Sequence, residues 1–262
     1  IAHGAALRRP CRVHAGGYGD FADCGLVILA AGTNQRPGET REALLGRNRA
    51  ILQSILEQLT AVNRDAVLLV VSNPVDVLTG YTLELSGFPA ERVIGSGTVL
   101  DTARIKCLLG EKLGVDSRNV HAFMLGEHGD SEVAVWSSAN ISGADLDDFC
   151  LAAGIDDPES MLASLAREVT HAAYDIIERK GATCYGIAMA VRRIAEAIRD
   201  EHAVLPVSTL ARGAYGIEGV CLGLPAVVGR SGVSRVLDLP LSRDETERLL
   251  ASAHKLKTLV EG

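Results

Sequence analysis

Between residues 24 and 94 three apolar runs, at 24–31, 66–71 and 92–94, alternate with two stretches of helical periodicity. The run C-G-L-V-I-L-A-A at 24–31 has no polar alternation, so it requires a sheet buried on both faces. At 39–60 the residues Leu44, Leu45, Ile51, Leu52, Ile55, Leu56 and Leu59 recur at helical spacing, and a shorter helix is predicted at 76–85. Strand, helix, strand, helix, strand implies parallel pairing with right-handed crossovers. In such sheets ligands sit beyond the carboxyl ends of the strands, where the turn-rich loop 32–40 and Asn73 fall.

After residue 95 the texture changes. A helix is predicted at 100–113, a strand at 120–125, an apolar segment at 133–136, helices at 158–179 and 187–198, strands at 204–210 and 220–228, and a closing helix from Ser242. This half reads as α+β, packed beside the parallel-sheet half.

The 262 residues suffice for a sizeable core, and a net charge of -7 gives no basic footprint for nucleic acid or an anionic membrane surface. The six cysteines show no C-x-x-C and no metal-like grouping with histidine, so they read as reduced, in a cytoplasmic protein with no metal. No apolar run reaches the roughly 20 residues needed to cross a bilayer, and no signal pattern opens the chain. It starts at Ile1 without methionine and reads as the interior of something longer.

The chemistry-bearing stretch is Gly126-Glu127-His128-Gly129-Asp130-Ser131, a histidine between glycines at the end of a strand, where a proton can move near neutral pH. On the helix before it, Asp101 and Arg104 share a face at i and i+3, which alone is also the pattern of a solvated helix pair. Gly95-Ser96-Gly97-Thr98-Val99-Leu100 is not a dinucleotide fingerprint, because leucine stands where close helix packing requires glycine or alanine. No P-loop and no G-x-S-x-G elbow occurs.

Four motifs in register, Gly32-Thr33-Asn34-Gln35-Arg36-Pro37-Gly38-Glu39-Thr40-Arg41, Ser72-Asn73-Pro74-Val75-Asp76, Gly95 through Arg104 and Gly126 through Ser131, resemble the bacterial L-lactate dehydrogenases of the lactate/malate dehydrogenase family. The likeness runs along essentially the whole chain. It implies a partial Rossmann-like parallel sheet domain over 1–94 with its N-terminal βαβ missing, then an α+β substrate domain over 95–262, assembled as a homotetramer. It implies NAD as cofactor and pyruvate or L-lactate as substrate. Under the resemblance His128 is the acid/base, Asp101 holds its other ring nitrogen, Arg104 clamps the substrate carboxylate, Arg41 polarises the carbonyl, Asn73 lies between substrate and cofactor, and Thr183 lines the substrate pocket. Tyr18, Gly32, Thr33, Ser54, Val71, Ser72, Asn73, Ser96 and Ile187 are the implied cofactor contacts.

Substrate choice hangs on Gln35, where related malate dehydrogenases carry arginine; a neutral side chain leaves a second carboxylate unpaired, with the neighbouring Arg36 read as pointing to solvent. Lys106 and His121 resemble the positions where many bacterial members bind fructose 1,6-bisphosphate. Lysine stands for the usual arginine, so weak or absent activation is expected. The family's opening strand, its G-x-G-x-x-G turn and the acidic residue for the ribose are not in this chain. The rival readings are a malate or other 2-hydroxyacid dehydrogenase and a non-catalytic truncated fragment or binding protein.

Overall fold

The computed structural model describes residues 11–33, 41–180, 183–200 and 202–261. Gln35 lies outside the described residues, as does the side chain of Arg41.

Strands β1 (Leu26–Leu29), β2 (Val67–Val70) and β3 (Val93–Gly95) pair in parallel, linked through helices α1 (Arg41–Thr60) and α2 (Val75–Ser86). β2 is buried at every position, as Val-Leu-Leu-Val without polar alternation demands. Its residues alternate between two cores. Leu68 and Val70 pack with Leu52 and Leu56 of α1 and Leu78 of α2, while Val67 and Leu69 face Ile194 and Ala197 of helix α6 (Tyr185–Asp200). The parallel strands therefore have helices on both faces, the Rossmann-like arrangement expected. α2 stops at Gly87, whose φ of 63° any other residue would adopt only at a cost.

Helix α3 (Val99–Leu113) lies on a second, antiparallel sheet of β4 (Val120–Leu125), β5 (Val133–Ile141) and β6 (Ala144–Asp145). Ile105, Leu109 and Leu113 form a third core there with Val120, Met124, Ile141, Cys150 of α4 (Leu146–Ala152) and Leu162 and Leu165 of α5 (Pro158–Lys180). α4 and β6 were not expected, and β5 runs past the apolar segment 133–136 to Ile141, with Ala139 and Ile141 buried between the more exposed Ser137, Ser138 and Asn140.

The last strands, β7 (Ala203–Arg212), β8 (Glu218–Gly229) and β9 (Gly232–Val236), form an antiparallel meander before the closing helix α7 (Arg243–Glu261). The sequence placed these strands beside the parallel sheet. They extend it instead, in the order β1-β2-β3-β7-β8-β9, through the single pair Gly95 and Ser208. Two glycines permit the join: a Cβ on Gly95 would lie 2.9 Å from Ser208 Cβ, and one on Gly97 would lie 2.4 Å from the Ser208 nitrogen.

Gly97 also has φ +50° immediately before α3. Gly97→Ala is expected to lower stability by about 1–2 kcal/mol or more from backbone strain and the clash with β7. Thermal unfolding checks this, and an unchanged Tm would show that the join can relax.

Candidate active site

Asp101 sits in the first turn of α3, where the helix dipole favours an anion, and its side chain is 2% exposed. The helix start is fixed by Thr98, whose hydroxyl donates to the Met124 carbonyl at 2.6 Å and whose N–H donates to the Pro206 carbonyl at 3.1 Å. Each Asp101 oxygen meets one cationic group: Oδ1 accepts from Arg104 Nη1 at 2.9 Å and Oδ2 lies 2.6 Å from His128 Nδ1. The i, i+3 pair is thus no solvated surface pair. It is the floor under a histidine 27 residues away in sequence.

The His128 loop is tied to four elements. Gly126 exchanges two backbone hydrogen bonds with Gly223 of β8, at 2.9 and 2.8 Å. The Glu127 N–H donates to Ser252 Oγ of α7 at 2.9 Å, and the Glu127 carboxylate accepts from Lys255 Nζ at 2.6 Å and from the Ser131 hydroxyl. The His128 N–H donates to Asp76 Oδ2 of α2 at 2.8 Å. From α5, Tyr174 donates to Asp130 at 2.8 Å and Thr170 to Glu132 at 2.9 Å. Gly126, at φ 93° and with Ser252 Oγ only 2.8 Å from where a Cβ would stand, must remain glycine.

Burial would lower the His128 pKa, but the Asp101 hydrogen bond and charge, helped by Asp76 and Glu132, raise it to about 9. Glu132 is 6% exposed, and burial with the charge of Asp101 pushes its pKa well above the usual carboxylate range. Asp76 is raised to about 6, chiefly by burial. Ligand atoms of Asp101, His128 and Glu132 fall within 4.8 Å of one another, yet both Asp101 oxygens are already engaged by His128 and Arg104. The arrangement holds an imidazolium ready to release a proton, beside a guanidinium suited to a carboxylate.

Of the residues expected to meet a cofactor, Gly32, Thr33, Val71, Ser72, Asn73 and Ser96 follow the carboxyl ends of the parallel strands. The N–H of Val71 donates to the Leu29 carbonyl, the hydroxyl of Ser72 to the Ala31 carbonyl, and the N–H of Ser96 to the Val70 carbonyl, at 2.9, 2.8 and 2.8 Å. Thr33 is held by Asn48 of α1, whose Oδ1 accepts its N–H at 2.8 Å. At Gly32 a Cβ would stand 3.4 Å from Ser72 Cβ and 3.5 Å from Asn48 Oδ1, in ordinary contact. Asn73 is exposed there, three residues before Asp76. Ile187 and Val71 pack on one apolar cluster, and Thr183 is half-buried two residues ahead of α6. These residues fit an elongated ligand lying across the strand ends. Ser54 is exposed on α1, and Tyr18 stacks edge-on with Phe21 in a short 3-10 turn. Lys106 and His121 line a separate cavity of about 520 Å³ with Arg193.

Asp76, Glu132, Thr170, Ser252 and Lys255 were given no role from sequence. Asp76 was visible in its motif; Ser252, 125 residues from Glu127, carries no local signal.

Residues 1–95 match the family model for the lactate/malate dehydrogenase NAD binding domain, and residues 98–262 that for the lactate/malate dehydrogenase alpha/beta C-terminal domain. An L-lactate dehydrogenase of Clostridium perfringens (strain 13 / Type A) is 48% identical over 258 residues, covering 98% of this chain and 81% of the relative. One of Streptococcus gordonii is 50% identical over 262 residues, covering 100% and 80%. Among solved structures, the minor L-lactate dehydrogenase from Enterococcus mundtii in its ligands-bound form superposes with a TM-score of 0.94 at 42% identity, covering 99% of this chain and 83% of that one.

Ser252 is fully buried, so Ser252→Ala would leave the Glu127 N–H without its acceptor. A loss of about 1–3 kcal/mol is expected in chemical denaturation. A smaller loss would mean that another group or water replaces the hydroxyl.

Proposed function

The chain belongs to the lactate/malate dehydrogenase family, and from that premise we propose that it is an NAD-dependent L-lactate dehydrogenase whose acid/base is His128. Bound NADH supplies the hydride that reduces the keto carbon of pyruvate. His128 gives its Nε2 proton to the carbonyl oxygen as negative charge builds there, and takes it back when lactate is oxidised. Asp101 fixes the ring through Nδ1 and favours its charged form. Arg104 binds the substrate carboxylate, Arg41 polarises the carbonyl, Asn73 lies between substrate and cofactor, and Thr183 closes the pocket. Tyr18, Gly32, Thr33, Ser54, Val71 to Asn73, Ser96 and Ile187 hold the cofactor. The observation that carries the proposal is one buried carboxylate gripping the imidazole at 2.6 Å and the guanidinium at 2.9 Å.

We assign residues 1–94 to the cofactor domain and 95–262 to the substrate domain, in a cytoplasmic homotetramer. The six free cysteines are consistent with that compartment, and no described helix is long and apolar enough to cross a membrane. Tyr185 and Met189 of α6 are 76% and 59% exposed and lie beside the Lys106 cavity, which suits cover by another copy. Fructose 1,6-bisphosphate at that cavity should activate weakly or not at all. Burial, then the charge of Arg193, lower the Lys106 pKa, and lysine lacks the fork that grips phosphate.

NADH oxidation with pyruvate, run beside oxaloacetate, tests the assignment: fast turnover on pyruvate and little on oxaloacetate is expected, and the reverse would make it a malate dehydrogenase. The reduction needs protonated His128, so kcat/KM for pyruvate should hold through neutral pH and fall above about pH 9, while that for lactate rises through the same range. His128→Ala should cut turnover by about 10²–10⁴-fold with NADH binding retained. Arg104→Lys should instead raise the KM for pyruvate by roughly ten- to a hundredfold, about 1.5–3 kcal/mol for a charge-assisted contact.

A further inference from the structure

Asp76 stands near the start of α2 with 3% of its surface exposed. Its Oδ2 accepts the backbone N–H of His128 at 2.8 Å, across 52 residues of sequence. Its Oδ1 has no hydrogen-bond partner of normal geometry among the described residues, and neither has the buried Ser208 hydroxyl on β7. We propose that Asp76 is a positioning residue for the reaction, holding the His128 backbone N–H and setting a second carboxylate beside the histidine that Asp101 grips.

The backbone contact alone does not require a carboxylate. An asparagine oxygen would accept the same N–H without the cost of burying a charge. A carboxylate adds a negative charge at the His128 backbone, and that charge acts through a low-dielectric interior. The groups facing Asp76 allow it to ionise near neutrality. Burial raises its pKa to about 6 against the lowering effect of the His128 N–H and the His128 charge, and Glu127 adds to the rise. From β8 the Cys221 thiol, pushed up to about 12 by burial and then by Asp76, stays neutral. Glu84 and Lys257 stand with Asp76 around a cavity of about 230 Å³. His128 itself faces Asp101, Asp76 and Glu132.

The inference rests on His128 being the acid/base, so its test includes a readout independent of turnover. The His128 imidazole is titrated by NMR with labelled histidine in the wild type, Asp76→Asn and Asp76→Ala, beside pH profiles of pyruvate reduction. Asp76→Asn keeps shape and acceptor; its His128 midpoint should fall by about half a pH unit or more, and the alkaline limb of kcat/KM should move with it. Asp76→Ala, which also loses the acceptor, should lower kcat about tenfold or more while NADH still binds. In the wild type, where no variant has to fold, the His128 resonances should sense a second ionisation near pH 6. A His128 midpoint unmoved in folded Asp76→Asn, or a second inflection that persists in that variant, would overturn the proposal and leave Asp76 a structural acceptor. A wild type that titrates as expected but does not reduce pyruvate would instead sink the dehydrogenase assignment, which the NMR result separates from the first question.

Discussion

The site depends on the Asp101 carboxylate, 2% exposed and in contact with His128 and Arg104 at once. A lone carboxylate so deep would cost several kcal/mol, and pairing on both oxygens is what makes the burial tolerable. Removing either partner would expose the penalty. The helix dipole adds to the effect because Asp101 occupies the first turn of α3. Stability and chemistry therefore share one interaction: the geometry that compensates the buried charge also orients the imidazole.

That sharing explains how the loop is built. His128 can face Asp101 only if residues 126–131 are held in place. Their backbone groups are fixed by β8, α7 and α2, and their side chains by α5 and α7. None of these anchors is a neighbour in sequence. The join of β3 to β7 at Gly95 brings β8 beneath the loop, so the antiparallel meander serves the site as well as the core.

What was legible in the chain follows the same division. The parallel strands announced themselves because burial on both faces forces uninterrupted apolar runs, and α1 because one buried stripe forces its spacing. β9, at five residues, and α4, at seven, are too short for periodicity to stand out. The strands 204–210 and 220–228 were visible, but not which sheet they would join, since that rests on one pair between Gly95 and Ser208. At the site, Asp101, Arg104 and His128 stood out as residue types in motifs, and the structure places them in contact. Ser252 and Glu132 did not, because a serine on an amphipathic helix or a glutamate before a strand looks the same whether it anchors a loop or faces water.

The charges near His128 also bear on substrate choice. His128 and Arg104 meet three carboxylates, Asp101, Asp76 and Glu132, in one buried neighbourhood. Burial and the charge of Asp101 lift the Glu132 pKa well above the usual carboxylate range, which weakens the negative charge it sets against His128 and Arg104. A monocarboxylate adds one negative charge and needs one further cation, which is the part proposed for Arg41. A dicarboxylate adds two, and under the proposed reading the neutral Gln35 leaves the second unanswered. An unpaired anion in a closed, dry pocket costs more than any contact its extra atoms could return. Under the proposed function, a preference for pyruvate over oxaloacetate draws on the same buried carboxylates that set the proton affinity of His128.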